Sequence, residues 1–590
     1  MQEGVDAHPE SRAPAGSGAP ATPWARRGLL IALLLLALAA RLGAVHRANV
    51  SWDEFGLAHL ADASAATGEL HSAARPGLGV WLLVPLVRDC TDEISVIREA
   101  RLLWTGITAL FLVGLALWIG ALEPDGSPRG RAGLLGVALL ALAPAFLASS
   151  LQVRTDQIAL AGGAFGGYWL LASRRRPWLA LAAGACFGAG FLGSQKLLYL
   201  LALALLLAAG QLRLERELAP RREAARALLA ATGFAAVLLA FQAAASAAFA
   251  VPERHAARNA LSPEYVEIGF SLFDFYRNTI GFREYREMLP TLAPQLLALL
   301  ALAAATPAAV RGGGRGAERV LLAWAVLGLG TAVGLFHAAA FRYFWMTLGV
   351  FPAVAICLGR EAIVARLARG GPRLLPAVAI AFAAMLAIPA ALETALLLRD
   401  TQAVQRESLA FVHRHFDRSD AGFQPESALF CQAGRQPIPT HFSQKIYQRF
   451  AGPGREANTE RMLRTFRRTP IKFIVQSFRL NQFPVELRRF WAENYQPYRA
   501  SVFVAGRRLS GARGGEASFE LFVPGRYRWI PRGGPHPLAI GGRVLRAGEV
   551  VELGAGAHVA RFPEDVSDGM LVLAVGEPPG EAPLPFYAGG

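Results

Sequence analysis

The sequence predicts a polytopic α-helical membrane protein whose last third faces water. Three observations predict it. Of 590 residues, 53% are hydrophobic and only 18% charged, where an ordinary globular chain carries about a quarter. Eleven stretches of 16 to 25 residues are nearly free of charge, and about 20 such residues cross the ~30 Å hydrocarbon layer as a helix. Hydropathy then collapses after Leu398. This pattern argues against a soluble enzyme.

Residues 1–27 read as a disordered cytoplasmic tail, rich in Pro, Ala, Gly and Ser and closed by Arg26 and Arg27. The first apolar stretch, Gly28 to Val45, has no small-residue cleavage site after it and is read as a retained helix. The remaining ten are Leu102 to Leu122, Ala132 to Val153, Gln157 to Ala172, Trp178 to Gln195, Leu197 to Leu212, Ala227 to Val251, Met288 to Val310, Val320 to Phe341, Tyr343 to Gly359 and Leu374 to Leu398. Together they define a membrane domain, 28–398, of about 11 spans.

Arginines in alternate loops set the orientation. Arg26/Arg27, Arg129/Arg131, Arg174 to Arg176, the segment Arg213 to Arg226, Arg311/Arg315/Arg319 and Arg360/Arg366/Arg369/Arg373 share one side if every span crosses once. That side is cytoplasmic by the positive-inside rule. The loop 46–101, the turns near Asp156 and Lys196, the loop 252–287 and everything after Leu398 then lie outside. In the first outer loop, GLGVWLLVPLV (Gly77 to Val87) is apolar but too short to span, so it lies in the interface or re-enters. The interleaved aromatics and arginines of 252–287 suit amphipathic structure at the headgroups.

Beyond the membrane, ESLAFVHRHF and PVELRRFWAENY suit helices, and SALFCQ and KFIVQS suit strands. They define an extracytoplasmic α/β domain, 399–510. GARGGEAS suits a linker, and the alternating runs FELFV, YRWI, PLAIGG, VVELGAG, HVARF and MLVLAV predict a small β-sandwich, 511–590. Tyr527 and Trp529 are expected in its core rather than stacked on a sugar.

The net charge of +16 is written almost wholly as Arg, with Lys only at 196, 445 and 472. Many of these arginines sit in loops between spans, so no nucleic-acid partner is read from them. Cys90, Cys186, Cys357 and Cys431 have no metal-ligand spacing, and no disulfide framework is read.

Ionisable residues at the turns between spans are the candidates for chemistry. In VSWDEF, Asp53 and Glu54 lie just past the first span, where a helix cap with a solvated acid accounts for them equally well. In SSLQVRTDQIAL, Arg154 and Asp156 have almost no loop in which to leave the membrane, and ionisable residues there default to functional candidates. A self-neutralising ion pair is the alternative. Lys196, in FLGSQKLLYL, is a compact ammonium suited to phosphate, or else a snorkelling lysine. Arg342 and Tyr343, in AAFRYFWMT, fall on the same outer face, or belong to an interfacial aromatic belt.

With Arg75, these acids and cations project to one face near the headgroup plane. Acids beside cations suit a phosphorylated lipid whose leaving group is phosphate: the cations stabilise developing negative charge, and a carboxylate deprotonates the attacking hydroxyl. No GxxxxGK[ST] loop, HExxH helix or GxSxG elbow is present, and GGGRG (Gly312 to Gly316) follows no predicted strand. Without a nucleotide site, an activated lipid is the better donor. A transporter or flippase for a lipid-linked anion would use similar residues, but internal repeats are not evident. An inactive scaffold presenting the outer domains is the third reading.

An Asp-Glu pair after helix one, a basic-Pro motif followed by a short apolar segment (ARPGLGVWLL), an Arg opening the next helix (IREARLL), then RTDQIAL, GSQKLL and FRYFWM occur in this order. The ordered set resembles the GT-C membrane glycosyltransferases, particularly the protein O-mannosyltransferase and lipid A aminoarabinose transferase superfamily, over roughly Gly28 to Leu398. The resemblance implies inverting transfer of a sugar from a polyprenyl-phosphate donor to a glycan, lipid or protein acceptor, on the periplasmic face of a bacterial inner membrane. Asp53 would be the general base, Glu54 its orienting or acceptor-binding partner, Asp156 a second acid, and Lys196 with Arg342 the clamp on the lipid phosphate. Arg75, Arg154 and Tyr343 would line the same substrate site. Some members need a divalent cation such as Mg or Mn, for which Asp53, Glu54 and Asp156 are the possible ligands. Where related enzymes often show Lys-Pro-Pro, this chain has Arg75, Pro76 and Gly77.

Overall fold

The computed structural model describes residues 23–71, 77–123, 131–215, 220–249, 293–337, 342–399, 402–432 and 450–576, with short breaks at 372, 418, 426–427 and 451–453, and also 579, 584 and 586. Arg75 and the expected amphipathic segment 252–287 lie outside the described residues.

The chain begins with α1 (Pro23–Val45), which holds the first apolar stretch. The outer loop supplies α2 (Trp52–Thr67) and α3 (Leu78–Val87), the latter formed by the short apolar segment. Then come α4 (Glu93–Ala121), α5 (Arg131–Ala141), α6 (Pro144–Leu151), α7 (Asp156–Ala172), α8 (Leu179–Gly193), α9 (Leu197–Glu215) and α10 (Pro220–Ala248). After the undescribed stretch follow α11 (Ala293–Gly312), α12 (Gly314–His337), a 3-10 turn at Arg342–Phe344, α13 (Trp345–Leu348), α14 (Val350–Ala368) and α15 (Leu374–Arg399).

Among the described residues, seven helices are long and apolar enough to cross a membrane, and the pair α5 and α6 makes eight if its halves form one span. The expected count of about 11 is not shown among the described residues. Part of the difference lies in α7 and α8, whose 17 and 15 residues are fewer than the roughly 20 of an upright span. The expected span at 132–153 is bent by 73° between α5 and α6. Pro144 opens α6, where its missing N–H costs no helical bond.

Small residues bring the helices together. A Cβ on Gly184 of α8 would collide with the Ala230 carbonyl of α10, and one on Gly233 of α10 would collide with the Leu181 carbonyl of α8. One on Gly162 of α7 would strike Cys186 and Gly190 of α8. Close backbone approach of this kind is how helices associate where lipid supplies no hydrophobic drive.

Beyond the membrane the chain forms α16 (Ala403–His415), β1 (Ala421–Phe423), α17 (Arg455–Arg468), β2 (Ile471–Val475), a 3-10 turn at Phe478–Gln482, α18 (Val485–Asn494), β3 (Tyr495–Arg499) and β4 (Val502–Gly511). It continues with β5 (Glu516–Leu521), β6 (Gly525–Arg532), β7 (Leu538–Ile540), β8 (Arg543–Leu545), β9 (Val550–Leu553), β10 (Gly556–Arg561) and β11 (Val566–Leu573). A seven-stranded sheet has the order β1-β2-β4-β11-β6-β9 with β3 also on β4, and a four-stranded sheet has the order β5-β10-β7-β8.

Strand β4 corrects the boundary expected at residue 510. Its first half, Val502 to Ala505, pairs with β2 and β3, and its second half, Gly506 to Gly511, pairs with β11. The two expected domains therefore share one sheet. GARGGEAS is not a linker between them; it contains a tight turn between the two sheets, with Gly514 at φ +79° and its N–H on the Phe562 carbonyl at 2.7 Å. SALFCQ, expected as a strand, instead ends in a 3-10 turn at Phe430–Gln432. Tyr527 and Trp529 are fully buried, as core residues of the sandwich.

The outer loop and the C-terminal region share one apolar core. Phe55 of α2 packs against Phe430 and Phe586, with centroids 6.5 and 5.9 Å apart. The amide of Gln405 pairs with the Val50 backbone through two bonds of 2.8 Å. At the junction, Gln402 takes the left-handed conformation (φ 53°), and its amide donates to the Ala48 carbonyl at 2.6 Å. Cys90 and Cys431 form a disulfide across 341 residues, which corrects the reading of no disulfide. Spacing along the chain carried no sign of it, because the two cysteines meet only once the tail folds back on the loop.

Candidate functional site

Asp53 stands in the first turn of α2, Asp156 opens α7, Arg154 sits in the link between α6 and α7, Lys196 in the link between α8 and α9, and Tyr343 in the 3-10 turn after α12. Each is at a helix end or a short connection, and the fold brings all five together.

The link carrying Arg154 is tied down along its length. Trp104 of α4 donates its indole N–H to the Arg154 carbonyl at 2.6 Å. Gln157 donates to the carbonyls of Ser150 and Gln152 at 2.6 and 3.1 Å. These bonds satisfy backbone acceptors that the broken helix leaves open. At the other link, Ser194 leaves the helix in an extended conformation as the C-cap of α8, and its hydroxyl donates to Asp156 Oδ1 at 3.1 Å.

The charges alternate in a row. Arg154 Nη1 meets Asp53 Oδ2 at 2.6 Å, Arg154 Nε lies 3.9 Å from Asp156 Oδ2, and Lys196 Nζ donates to that same oxygen at 2.8 Å. All four residues are less than a tenth exposed. The partner that holds Arg154 is thus Asp53 rather than its sequence neighbour Asp156. Tyr343 covers the row: its ring centroid is 3.4 Å from the Arg154 guanidinium carbon and 4.7 Å from Lys196 Nζ, a geometry in which the aromatic face attracts both cations.

Glu54, though adjacent to Asp53, belongs to a different arrangement. It is fully buried, and its carboxylate accepts from Arg101 Nε and Nη2, each at 2.8 Å, from the Ser51 N–H at 2.8 Å and from the Val153 N–H at 3.0 Å. Arg101 spends its remaining donor capacity on the carbonyls of Val45, Ala48 and Asn49. A carboxylate with four donors and a bidentate arginine is committed to holding α1, α2, α4 and the Arg154 link in register. In this arrangement Glu54 acts through position rather than by touching an acceptor.

Among the expected substrate residues, Arg75 lies outside the described residues, and of Arg342 only the backbone, opening the 3-10 turn, is described. The three suggested metal ligands do not come together as a set: Glu54 is held by Arg101, and the Arg154 guanidinium contacts both Asp53 and Asp156. Among the described residues no group of three His, Cys, Asp or Glu side chains is placed to hold a metal ion. The donors present do not fit a divalent cation, and no step below passes through one. Trp104, Gln157, Ser194 and the positioning role of Arg101 were not singled out from sequence. Trp104 lies in an apolar run of α4 like any lipid-facing or core tryptophan.

No protein-family model and no curated protein matches the chain. Similar chains occur among solved structures. The oligosaccharyltransferase of Archaeoglobus fulgidus in its apo form is 12% identical, with a TM-score of 0.44, over 91% of this chain and 77% of that one. The same enzyme tethered to an acceptor peptide containing the NVT sequon is 10% identical, with a TM-score of 0.42, over 95% and 98%. ArnT of Cupriavidus metallidurans bound to undecaprenyl phosphate is 14% identical, with a TM-score of 0.37, over 82% of this chain and 98% of that one.

Proposed function

We propose that this chain is a GT-C-type membrane glycosyltransferase that moves a sugar from a polyprenyl-phosphate carrier to an envelope acceptor, a glycan, lipid or protein, with inversion. The observation that carries this reading is the buried row Asp53, Arg154, Asp156, Lys196 under Tyr343. It places a carboxylate at one end and an ammonium at the other, at the ends of apolar helices where a lipid phosphate can arrive with its tail in the bilayer.

In the proposed reaction the Asp53 carboxylate takes the proton of the acceptor hydroxyl or amine as the acceptor atom bonds to the anomeric carbon. The bond from that carbon to the phosphate oxygen breaks, and the phosphate leaves with the electron pair. Lys196 and Arg154 stabilise the charge that develops on it. Donor binding then requires the Lys196 pair with Asp156 to open toward phosphate, while Asp156 keeps Ser194 and Arg154 in place. Glu54 and Arg101 position Asp53 and the Arg154 link.

The active face is proposed to be extracytoplasmic, in a bacterial inner membrane with the N-terminus in the cytoplasm. The basic loops support this orientation, and so does the Cys90–Cys431 disulfide, which persists in an oxidising compartment. The test is to incubate the purified chain with a panel of radiolabelled polyprenyl-phosphate sugars and envelope acceptors. Label in the acceptor supports transfer, whereas lipid movement without bond cleavage would replace this reading with a transporter.

A further inference from the structure

Arginines crowd the junction where the ends of α1 and α15 meet the starts of α4 and α16. There Arg98 of α4 and Arg406 of α16 converge on the same two neutral oxygens. Arg98 Nη2 donates to the His46 carbonyl at 3.2 Å and to Gln402 Oε1 at 3.1 Å, and Arg406 Nη2 donates to the same two atoms at 3.1 and 3.2 Å. The two guanidiniums therefore lie side by side. A third, on Arg47, donates to the Leu398 carbonyl at 3.3 Å. Arg47 and Arg406 are exposed and Arg98 is partly so, while Arg98 Nε is buried without a hydrogen-bond partner.

Among the described residues no carboxylate is ion-paired with any of the three. Glu99, next to Arg98 along α4, is exposed and pairs with none of them. The His46 and Leu398 carbonyls belong to the C-terminal ends of α1 and α15, and each such end supplies only about half an elementary charge. Two helix ends leave most of three positive charges unanswered. Asp400, which lies outside the described residues, would still leave an excess, and the exposed Arg399 adds to it. Like charges held side by side repel, and an anion seated on them removes that cost.

The surroundings select the anion. About one turn below the arginines, Leu42 on α1 and Leu396 on α15 are exposed, and in a bilayer these side chains face acyl chains. The guanidiniums thus stand at the level of the phosphates of one leaflet, open to it rather than enclosed. We propose that this junction binds the phosphate of an anionic phospholipid headgroup, held by Arg98 and Arg406 with Arg47 beside them, its acyl chains lying along α1 and α15. Guanidinium groups suit this role because their forked donors match phosphate oxygens. The site is independent of sugar transfer, yet it bears on the segment that leads to Asp53. Arg101, one turn along α4 from Arg98, holds the Ala48 and Asn49 carbonyls together with the Glu54 carboxylate. Gln402 donates to the Ala48 carbonyl at 2.6 Å. A headgroup seated on the junction therefore steadies residues 46–49 at the foot of α2.

Hydrogen exchange read by mass spectrometry tests this with the full chain in phosphatidylcholine nanodiscs, in which phosphatidylglycerol replaces a rising fraction of the lipid. Parallel nanodiscs of phosphatidylcholine alone receive inorganic phosphate. Phosphatidylglycerol is expected to slow exchange across residues 46–50 and 402–406. In Arg406→Gln, the fraction that gives half-maximal slowing is expected to rise about fivefold, the contribution of one arginine near an anionic leaflet, and Arg406→Lys is expected to restore it. Arg47→Gln, also at an exposed position, is expected to shift in the same direction. The basic run Arg174 to Arg176, at the other end of α7 from Asp156, is the control: its response to the lipid stays the same in every variant, which separates local loss from misfolding. Equal exchange with and without phosphatidylglycerol, undiminished slowing in Arg406→Gln and Arg47→Gln, or slowing by inorganic phosphate alone overturns the proposal.

Discussion

Asp53 and Arg154 form an ion pair of 2.6 Å in which both side chains are only 7% exposed. The VSWDEF motif does start a helix, with Glu54 accepting from the Ser51 N–H at 2.8 Å, but its Asp53 is buried and paired rather than solvated. The pair also sets the direction of the proposed chemistry. The arginine pairs with Asp53 and, at longer range, reaches Asp156, which holds the proposed base against the row of cations.

The first prediction concerns Lys196. Replacing it with Ala removes the ammonium proposed to receive the lipid phosphate and leaves Asp156 with one fewer donor. Steady-state kinetics are expected to show a raised KM for the polyprenyl-phosphate sugar and a fall in kcat/KM of about 10²-fold. Lys196→Arg is expected to recover part of it, since the charge returns with a different shape. An unchanged KM in the Ala variant would remove Lys196 from donor binding.

Glu54 and Arg101 are predicted to matter for stability before they matter for chemistry. Breaking a buried pair leaves an uncompensated charge, at a cost of about 3–5 kcal/mol. Arg101→Ala is therefore expected to lower the melting temperature sharply in detergent or nanodiscs, by more than Lys196→Ala does. Equal melting of the Arg101→Ala and wild-type proteins would contradict the positioning role.

These two predictions rest on residues of unequal legibility. Asp156, Arg154 and Lys196 stood out in the sequence because a charge between apolar stretches has nowhere to go, and physics alone makes it conspicuous. Arg101 was visible only as one letter of an ordered motif, since its purpose depends on carbonyls of residues 45 to 49 that meet it through the fold. The bend between α5 and α6 had a sign in the sequence, Pro144 inside the apolar stretch 132–153, but its angle of 73° did not. The shared sheet was hidden because in VFVAGRRLSG, the strand that joins both halves, the apolar run VFVA stops at Gly506 and two arginines follow, so the pattern reads as a strand end. Hydrophobic length located the helices, but it does not fix the number of spans where Gly-rich α7 and α8 are short and packed against neighbours.

The disulfide gives a third prediction. Non-reducing electrophoresis and thiol alkylation should find Cys90 and Cys431 protected until reduction in protein taken from the oxidising side of the membrane. Cys431→Ser is expected to cost about 2–4 kcal/mol and to loosen the C-terminal region from the outer loop, seen as faster limited proteolysis near α16. Free thiols at both positions in native membranes would oppose both the bond and the orientation.

Asp62 supplies a pH dependence outside the membrane spans. Burial first, and the neighbouring Glu93 carboxylate second, push its pKa up from 3.8 to about 7. A folded pKa above the unfolded value means the folded state binds the proton more tightly, so the stability it contributes is present at low pH and is lost as pH rises from about 4 to about 7. Melting temperature is expected to decline over that window in the wild type and to decline less in Asp62→Asn. Identical slopes in the two proteins would show that Asp62 titrates as an ordinary surface acid.

The central claim is that Asp53 takes the acceptor proton during sugar transfer from a polyprenyl phosphate, and the most direct test is Asp53→Asn beside wild type in the same transfer assay. The amide keeps the shape and a contact with Arg154 but cannot accept the proton. The account predicts a folded, membrane-inserted variant that still retains the lipid donor and whose turnover falls by about 10²–10⁴-fold. Turnover near the wild-type level in a folded Asp53→Asn protein would contradict it.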